Sequence, residues 1–371
     1  MKSKVYMVNN RTSYEANMLQ KFEVLIKESG LLEYDFKDKF VAIKIHFGEY
    51  GNLAYIKPQY LKILGDVIKE KGGLPFLTDC STLYSGSRSD ALSHLNTALA
   101  NGFSKDITGM HIVIGDGLKG NDYDDVKVTL KHCSSVKIGR AIMESDIIIT
   151  MNHFKGHEQA GFGGALKNIG MGCGSKIGKL EMHSGLKPII LNDKCISCGQ
   201  CVKNCNQCAI ILDNKAKINY DKCVGCGECI VVCKKEAITQ NTVDESKLLN
   251  EKIAEYTYGV LKDKLHFHFN FLTDISPNCD CWPMNDAPIV PNIGILASSD
   301  PVAIDYASAH LVNKEEALAN TFLTEKKNYK AGYDKFKCMH NNADWESGLI
   351  YAEELSLGKK DFEIINISER N

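Results

Sequence analysis

Along the first 150 residues, short apolar runs alternate with amphipathic stretches. Val5–Val8 predicts a strand, and Ala16–Ile26 repeats apolar residues at helical spacing. Val41–Ile45 predicts a buried strand. A helix from Pro58 to about Lys71 should follow, ended by Gly72 and Gly73 before a strand at Leu74–Thr78. Asp90–Ala100 predicts a helix, and Ile147–Thr150 closes the series as a strand. The pattern resumes late in the chain with a helix at Glu245–Leu261. His266–Phe271 alternates strictly and would place Phe267, Phe269 and Phe271 on one face. Ile293–Leu296 predicts a strand, Asp300 an N-cap with Pro301 at the first helical position, and the carboxyl end a helix near Trp345 and a strand at Phe362–Ile367. Strands alternating with helices imply an α/β domain with a mainly parallel sheet layered with helices.

Between the two halves lie two runs of four cysteines: Cys195, Cys198, Cys201 and Cys205, then Cys223, Cys226, Cys229 and Cys233. Each reads C-x-x-C-x-x-C-x-x-x-C, a spacing that resembles bacterial two-cluster ferredoxins. Three thiolates of a run fold round one cube, with Gly199, Gly225 and Gly227 where the backbone turns tightly. The fourth cysteine ligates the other cube. The expected cofactors are therefore two 4Fe–4S clusters, one on Cys195, Cys198, Cys201 and Cys233, the other on Cys223, Cys226, Cys229 and Cys205. The family's usual proline after the fourth cysteine is Asn206 in one run and Lys234 in the other, a departure that touches turn rigidity and not ligation. Structural zinc would use pairs of Cys-x-x-Cys and not this triplet plus one. The expected organisation is an α/β domain from 1–189 plus 243–371, interrupted by a small α+β ferredoxin-type insertion at 190–242; three serial domains would leave the carboxyl segment too few strands for a sheet of its own.

Composition narrows the setting. The chain has 371 residues, 44% hydrophobic and 24% charged, which is ordinary for a folded globular protein. Its formal net charge of -2 argues against a general nucleic-acid binder. Of the 15 cysteines, Cys80, Cys133, Cys173, Cys208, Cys279, Cys281 and Cys338 fall outside the runs. Cluster thiolates need a reducing compartment, the amino terminus lacks an apolar signal run, and no stretch is as long as a membrane span, so a cytoplasmic protein without membrane contact is expected, in a cell living without much oxygen.

Other motifs carry chemistry. Asn152–His157 follows a strand and leads into six glycines between Gly161 and Gly174, with Lys155, Lys167 and Lys176 nearby. Glycines after a strand let N–H groups converge on an anion, so a small anionic or carbonyl ligand is expected there, against the plainer reading of a tight packing turn. His153 and His157 would share a face if helical and could hold a metal, although Gly156 weakens a helix. His46 follows a strand, where α/β sites collect. Cys279 and Cys281 place two soft ligands close together, suited to a metal or to redox exchange, or else are two buried thiols. Gly115–Gly120 matches a dinucleotide fingerprint in letters but is followed by acids and no helix, and is read as a solvated loop.

Lys44–Glu49, Asn152–His157, Gly164–Asn168, Cys279–Cys281 and Ser299–Asp305, in that order, resemble the family called domain of unknown function 362, whose members often carry a ferredoxin module. The resemblance covers nearly everything outside 190–242 and implies no particular reaction. A shorter likeness joins His157-x-x-x-Gly161-Phe-Gly-Gly to the nickel-dependent lactate racemase family, and implies a further metal or organometallic cofactor.

The favoured function is an iron–sulfur oxidoreductase whose clusters relay electrons to a ligand or metal at a cleft where His46, Cys80, His153, His157, Lys167, Cys279 and Cys281 converge. The alternatives are a non-enzymatic electron carrier that docks onto a redox partner, and clusters that serve structure only. The expected partner is an electron donor or acceptor protein. Substrate, electron partner and oligomeric state stay open.

Overall fold

The computed structural model describes residues 2–84, 86–183, 188–205, 207–225, 228–235, 237–239 and 243–369. Asn206, Cys226 and Gly227 therefore lie outside the described residues. The central sheet has eight strands: β1 (Ser3–Asn9), β2 (Phe40–Ile45), β3 (Leu74–Asp79), β4 (Ile112–Ile114), β5 (Ile147–His153), β6 (Leu265–Leu272), β7 (Gly294–Ser298) and β8 (Phe362–Asn366). Their order is β8-β1-β7-β6-β5-β2-β3-β4. Every neighbouring pair is parallel except the two made by β7, which runs against both β1 and β6. The fold is α/β with a mainly parallel sheet, as the alternation of strands and helices implies.

Strand alternation separates two cores. On β2, Val41, Ile43 and Ile45 face one side with Ile147, Ile149 and Met151 of β5 and the three phenylalanines of β6. That side is covered by α1 (Met18–Glu28), which buries Phe22, Leu25 and Ile26, and α2 (Pro58–Glu70), which buries Leu61, Leu64 and Ile68. Each such side chain contributes roughly 1.5–3 kcal/mol by leaving water. A shorter helix, α3 (Ala91–Ala100), packs near β4. Ala42 and Ile148 point the other way, toward α4 (Ala165–Cys173), α5 (Lys176–His183), α6 (Val243–Leu261), α7 (Pro301–Lys314) and α8 (Trp345–Glu354).

Caps set the helix starts. The first helix begins at Met18, later than apolar spacing suggests, because the Asn17 side chain accepts from the Gln20 N–H while the Gln20 side chain accepts from the Asn17 N–H. Asp300 accepts from the Val302 and Ala303 N–H groups and opens α7, with Pro301 at its first position.

The described residues of 188–239 contribute nothing to the central sheet. Ile189–Ile190 pairs antiparallel with Ile238–Thr239, and Ile210–Asp213 pairs antiparallel with Lys215–Ile218. Short helices at Gln200–Lys203 and Glu228–Val231 carry Cys201 and Cys229. The strands that flank this stretch in sequence, β5 before it and β6 after it, lie side by side in the central sheet.

The loop after β4 needs a correction. Asp116 is fully buried and accepts from the Ser81 N–H at 2.9 Å and the Lys176 N–H at 3.2 Å, so this loop is anchored and not simply solvated. The next element is a strand, Tyr123–Lys127, and not a helix, so nothing there presents an N-terminus to a pyrophosphate.

Candidate functional site

The parallel strands β2, β3 and β5 end on one edge of the sheet, so the residues at their carboxyl ends gather there. His46 follows β2, Asp79 ends β3 with Cys80 next, and His153 ends β5. A single cleft at this edge is lined by His46, Cys80, His153, His157, Lys167, Cys279 and Cys281. It is also lined by Lys155, named above beside the glycine-rich stretch, and by Asp79, Tyr84, Arg88, Glu158, Lys179, His183, Asp280 and Trp282, which the motifs did not single out as site residues. Lys155 and Asp280 sit inside motifs already singled out, and Asp79 ends a predicted strand. Arg88 and Tyr84 come from a loop with no periodicity to mark them.

A buried hydrogen-bond chain crosses the strands and reaches the cleft at Asp79 and Asn168. Lys44 Nζ lies 2.9 Å from Asp79 Oδ1 and donates to Asn168 Oδ1 at 2.6 Å. Asn168 Nδ2 donates to Asn152 Oδ1 at 2.7 Å, and Asn152 Nδ2 to Asn270 Oδ1 at 2.9 Å. Asn270 Nδ2 then donates to Asp305 Oδ1 at 2.8 Å. Buried polar groups must be paired, and this chain pairs them in series from β3 to α7. A second buried knot sits beside it. Arg88 Nε lies 3.0 Å from Glu49 Oε2, and Arg88 Nη1 lies 3.6 Å from Asp79 Oδ2. Burial favours the neutral form of Asp79, but Lys44 foremost, with His94, His46 and Arg88, holds its carboxyl well below the usual range.

Cys279 and Cys281 stand on a turn closed by the Trp282 N–H on the Cys279 carbonyl at 3.3 Å. Their sulfurs are 2.8 Å apart, with Cys279 donating to Cys281. Lys155 Nζ donates to the Cys279 sulfur at 3.5 Å and Lys167 Nζ at 3.7 Å. The Cys279 S–H, then Lys167, Arg88 and Lys155, hold the Cys281 thiol well below its ordinary value against the cost of burial. Burial pushes the Glu158 carboxyl up to about 7; Glu158 accepts from the Trp282 indole N–H at 3.0 Å. Cys80 behaves differently. Burial, then Asp116, raises its thiol well above the usual value, and it donates to the Cys173 carbonyl at 3.4 Å, so it is a packing thiol within the wall.

The histidines are not arranged as a helical pair. His153 ends β5, and His157 lies in a separate short strand, Lys155–His157, paired with Gly161–Gly163. Gly156 is required there because a Cβ would meet the Pro277 carbonyl oxygen at 2.0 Å. His153 has both ring nitrogens engaged, Nδ1 by Asp280 at 2.7 Å and Nε2 by the Thr273 carbonyl at 2.8 Å, which leaves no donor for a metal. Among the described residues no group of three or more His, Cys, Asp or Glu side chains is set to hold a metal ion.

His46 and His157 are alike in another way. His46 Nδ1 accepts the Gly48 N–H at 3.1 Å, which leaves Nε2 to carry the proton, 3.5 Å from the Cys281 sulfur. His157 Nδ1 accepts the Gln159 and Ala160 N–H groups at 3.1 and 3.0 Å, and its side chain bonds Cys279. Burial, then Arg88 for His46 and Lys167 for His157, pulls both rings down to about 3, so they are neutral donors aimed at the two sulfurs.

The glycine-rich stretch does converge on an anion, but the anion is the protein's own. Ala165 and Leu166 N–H groups donate to the Asp305 carboxylate at 2.6 and 2.9 Å. The start of α4 is thereby filled, which corrects the expectation of an external anion at these N–H groups.

In the cysteine stretch, a cavity gathers Cys205 of the first run with Cys223 and Cys229 of the second. Cys226 lies outside the described residues. The two runs repeat one local device: the Ala209 N–H donates to the Cys205 sulfur at 3.3 Å, and the Ala237 N–H to the Cys233 sulfur at 3.2 Å. Backbone N–H groups of Ala216 and Ser197 lower the Cys195 thiol. Among the described cysteines none forms a disulfide. His183, at the end of α5 in the cleft wall, is hydrogen-bonded to the backbone of Gly225, between Cys223 and Cys226, so the second run abuts the cleft.

A family model described as "Domain of unknown function (DUF362)" matches residues 41–310. The chain belongs to the DUF362 family. The DUF362 match takes in both walls of the cleft, from Lys44 through Cys281 to Asp305, and leaves β1, α8 and β8 outside it. No curated protein matches the chain. Among solved structures, a Thermotoga maritima protein aligns with 14% identity and a TM-score of 0.37 over 68% of this chain and 49% of that one, so the chain spans about half its length. The lactate racemase apoprotein from Thermoanaerobacterium thermosaccharolyticum aligns with 12% identity and a TM-score of 0.36, covering 99% of this chain and 83% of that one. At such TM-scores neither bears on what this DUF362 protein does. Among the described residues no helix is long and apolar enough to cross a membrane.

Proposed function

We propose that this protein is an iron–sulfur oxidoreductase, in which an inserted two-cluster ferredoxin module serves a ligand bound in the thiol- and lysine-lined cleft. The observation that carries the reading is the cavity that joins Cys205 to Cys223 and Cys229 across the two runs, as crossed ligation requires. Cys195, Cys198, Cys201 and Cys233 would hold one 4Fe–4S cluster, and Cys223, Cys226, Cys229 and Cys205 the other. When bound, such clusters supply one-electron transfer at low potential. The Ala216 and Ser197 N–H groups lower the Cys195 thiol toward the thiolate that ligation needs, and the Ala209 and Ala237 N–H groups reach the Cys205 and Cys233 sulfurs.

The α/β part contributes the rest. Its cleft is walled by buried cations and by the Cys281 sulfur, a lining suited to a polarisable ligand. The His183 contact with the Gly225 backbone ties that cleft to the second run, a connection that a free-standing electron carrier would not need.

Iron and acid-labile sulfide in protein purified without oxygen test the reading. About eight of each per chain are expected. Zinc in their place, or iron near half that amount, would overturn it. Dithionite-reduced protein should then be reoxidised by its ligand and not by an inert one.

A further inference from the structure

We propose that Cys279 and Cys281 form a redox-active dithiol, with Cys281 as the attacking thiolate and Cys279 as the resolving thiol, acting on a small disulfide-bonded substrate. This deepens the reading of the cleft as a redox site by naming the group that meets the substrate and the substrate's class.

Four features of the pair lead there. The sulfurs are 2.8 Å apart on one turn, so closure needs little backbone motion, the bonded S–S distance being about 2.05 Å. The two thiols are unequal in access: Cys279 is 2% exposed, whereas Cys281 is partly open to the cleft. The surroundings stabilise negative charge on sulfur, with Lys155 and Lys167 on Cys279 and the His46 ring beside Cys281. Finally, His153 and Asp280 are locked to each other at 2.7 Å, and Asp280, between the cysteines, holds the turn against β5.

The chemistry balances as thiol–disulfide exchange. The Cys281 thiolate attacks one sulfur of R–S–S–R; a Cys281–S–S–R bond forms, the substrate S–S bond breaks, and RS⁻ leaves. The departing thiolate takes the proton from Cys279, whose anion is then held by Lys155, Lys167 and the His157 N–H. Cys279 attacks the Cys281 sulfur, closes the internal disulfide and releases the second RS⁻. The pair has lost two electrons and the substrate has gained them. Return to the starting pair, a Cys281 thiolate and a Cys279 thiol, takes two electrons, which a low-potential iron–sulfur donor would supply singly, and one proton from solvent.

The test uses the full chain, without oxygen, equilibrated in glutathione buffers from fully reduced to fully oxidised. Samples are quenched in acid, alkylated and cut with trypsin. Residues 265–314 then form one peptide whose sole cysteines are Cys279 and Cys281, so its mass reports this pair and none of the cluster ligands. The expected result is a single two-electron transition from a doubly alkylated peptide to an unalkylated one lacking two hydrogens. In Cys279→Ser, glutathione should remain bonded to Cys281; in Cys281→Ser, glutathione should reach Cys279 at least about tenfold more slowly. A peptide still doubly alkylated in pure glutathione disulfide, a persistent glutathione adduct in the unmutated chain, or equal rates in the two variants would overturn the proposal. Iron and sulfide content does not enter this measurement, so the two readings can fail separately.

Discussion

Gly164 and the Asp305 carboxylate occupy one space: a Cβ on Gly164 would sit 2.2 Å from Asp305 Oδ1. Because that carboxylate also receives the Ala165 and Leu166 N–H groups, two distant motifs are two halves of one contact. Gly164→Ala should cost about 1–3 kcal/mol through overpacking. Asp305→Ala should cost at least as much, because two buried N–H groups lose their acceptor at roughly 1–3 kcal/mol each. Urea unfolding measures both, and a neutral Gly164→Ala would show that the carboxylate can move aside.

That contact also shows where sequence reading reached and where it stopped. The central sheet was legible because β2, β5 and β6 are apolar runs between turn residues, and their pairing gathers His46 and His153 at one edge as parallel topology demands. The strands at Tyr123–Lys127, Lys155–His157 and Gly161–Gly163 were not, since they are short, polar or glycine-bearing and carry no period. Glycines near lysines pointed to an anion, and only tertiary contact says that Asp305 supplies it. Likewise the spacing of His153 and His157 suits a helix, but pairing of the Gly156 strand overrides it.

Lys44 should be the most costly single residue in the buried hydrogen-bond chain. Its ammonium is fully buried against Asp79 and Asn168. Lys44→Met leaves Asp79 charged and short of a partner, which typically costs about 3–5 kcal/mol. The double variant Lys44→Met/Asp79→Asn should lose less than the sum of its parts, because the two residues share one interaction. Strict additivity in urea midpoints would show that the pair is not coupled.

The buried rings make the protein acid-sensitive in a definable window. His46 and His157 are depressed to about 3 from an ordinary 6.5, so their stabilising effect is present above pH 6.5 and is lost as pH falls toward 3. Glu158 acts the other way. Raised from 4.5 to about 7, it favours the fold most below pH 4.5, and that contribution is lost as pH rises through 7. His157→Gln should therefore flatten the fall in urea midpoint on the acid side, and Glu158→Gln should gain on the parent chain between pH 4.5 and 7. Parallel pH curves for parent and variants would mean that these groups titrate alike in folded and unfolded chains.

Residues 190–242 should be a removable module. Ile189 and Ile190 pair antiparallel with Thr239 and Ile238, so the two ends of the stretch lie side by side. Paired strands lie about 5 Å apart, a gap that a few Gly/Ser residues span. Among the described residues, nothing between these points enters the central sheet, whereas β5 and β6 on either side pair along seven residues from Leu265 with Ile147 to Phe271 with His153. Replacing 190–242 with such a linker should leave a chain that binds no iron, keeps its helix and strand content, and unfolds in one urea transition. The contact of His183 with Gly225 would be lost, so any change should appear at α5 and the cleft wall and not in the sheet. If residues 1–189 and 243–371, expressed separately, each fold and melt on their own, the halves are serial domains and the insertion reading fails.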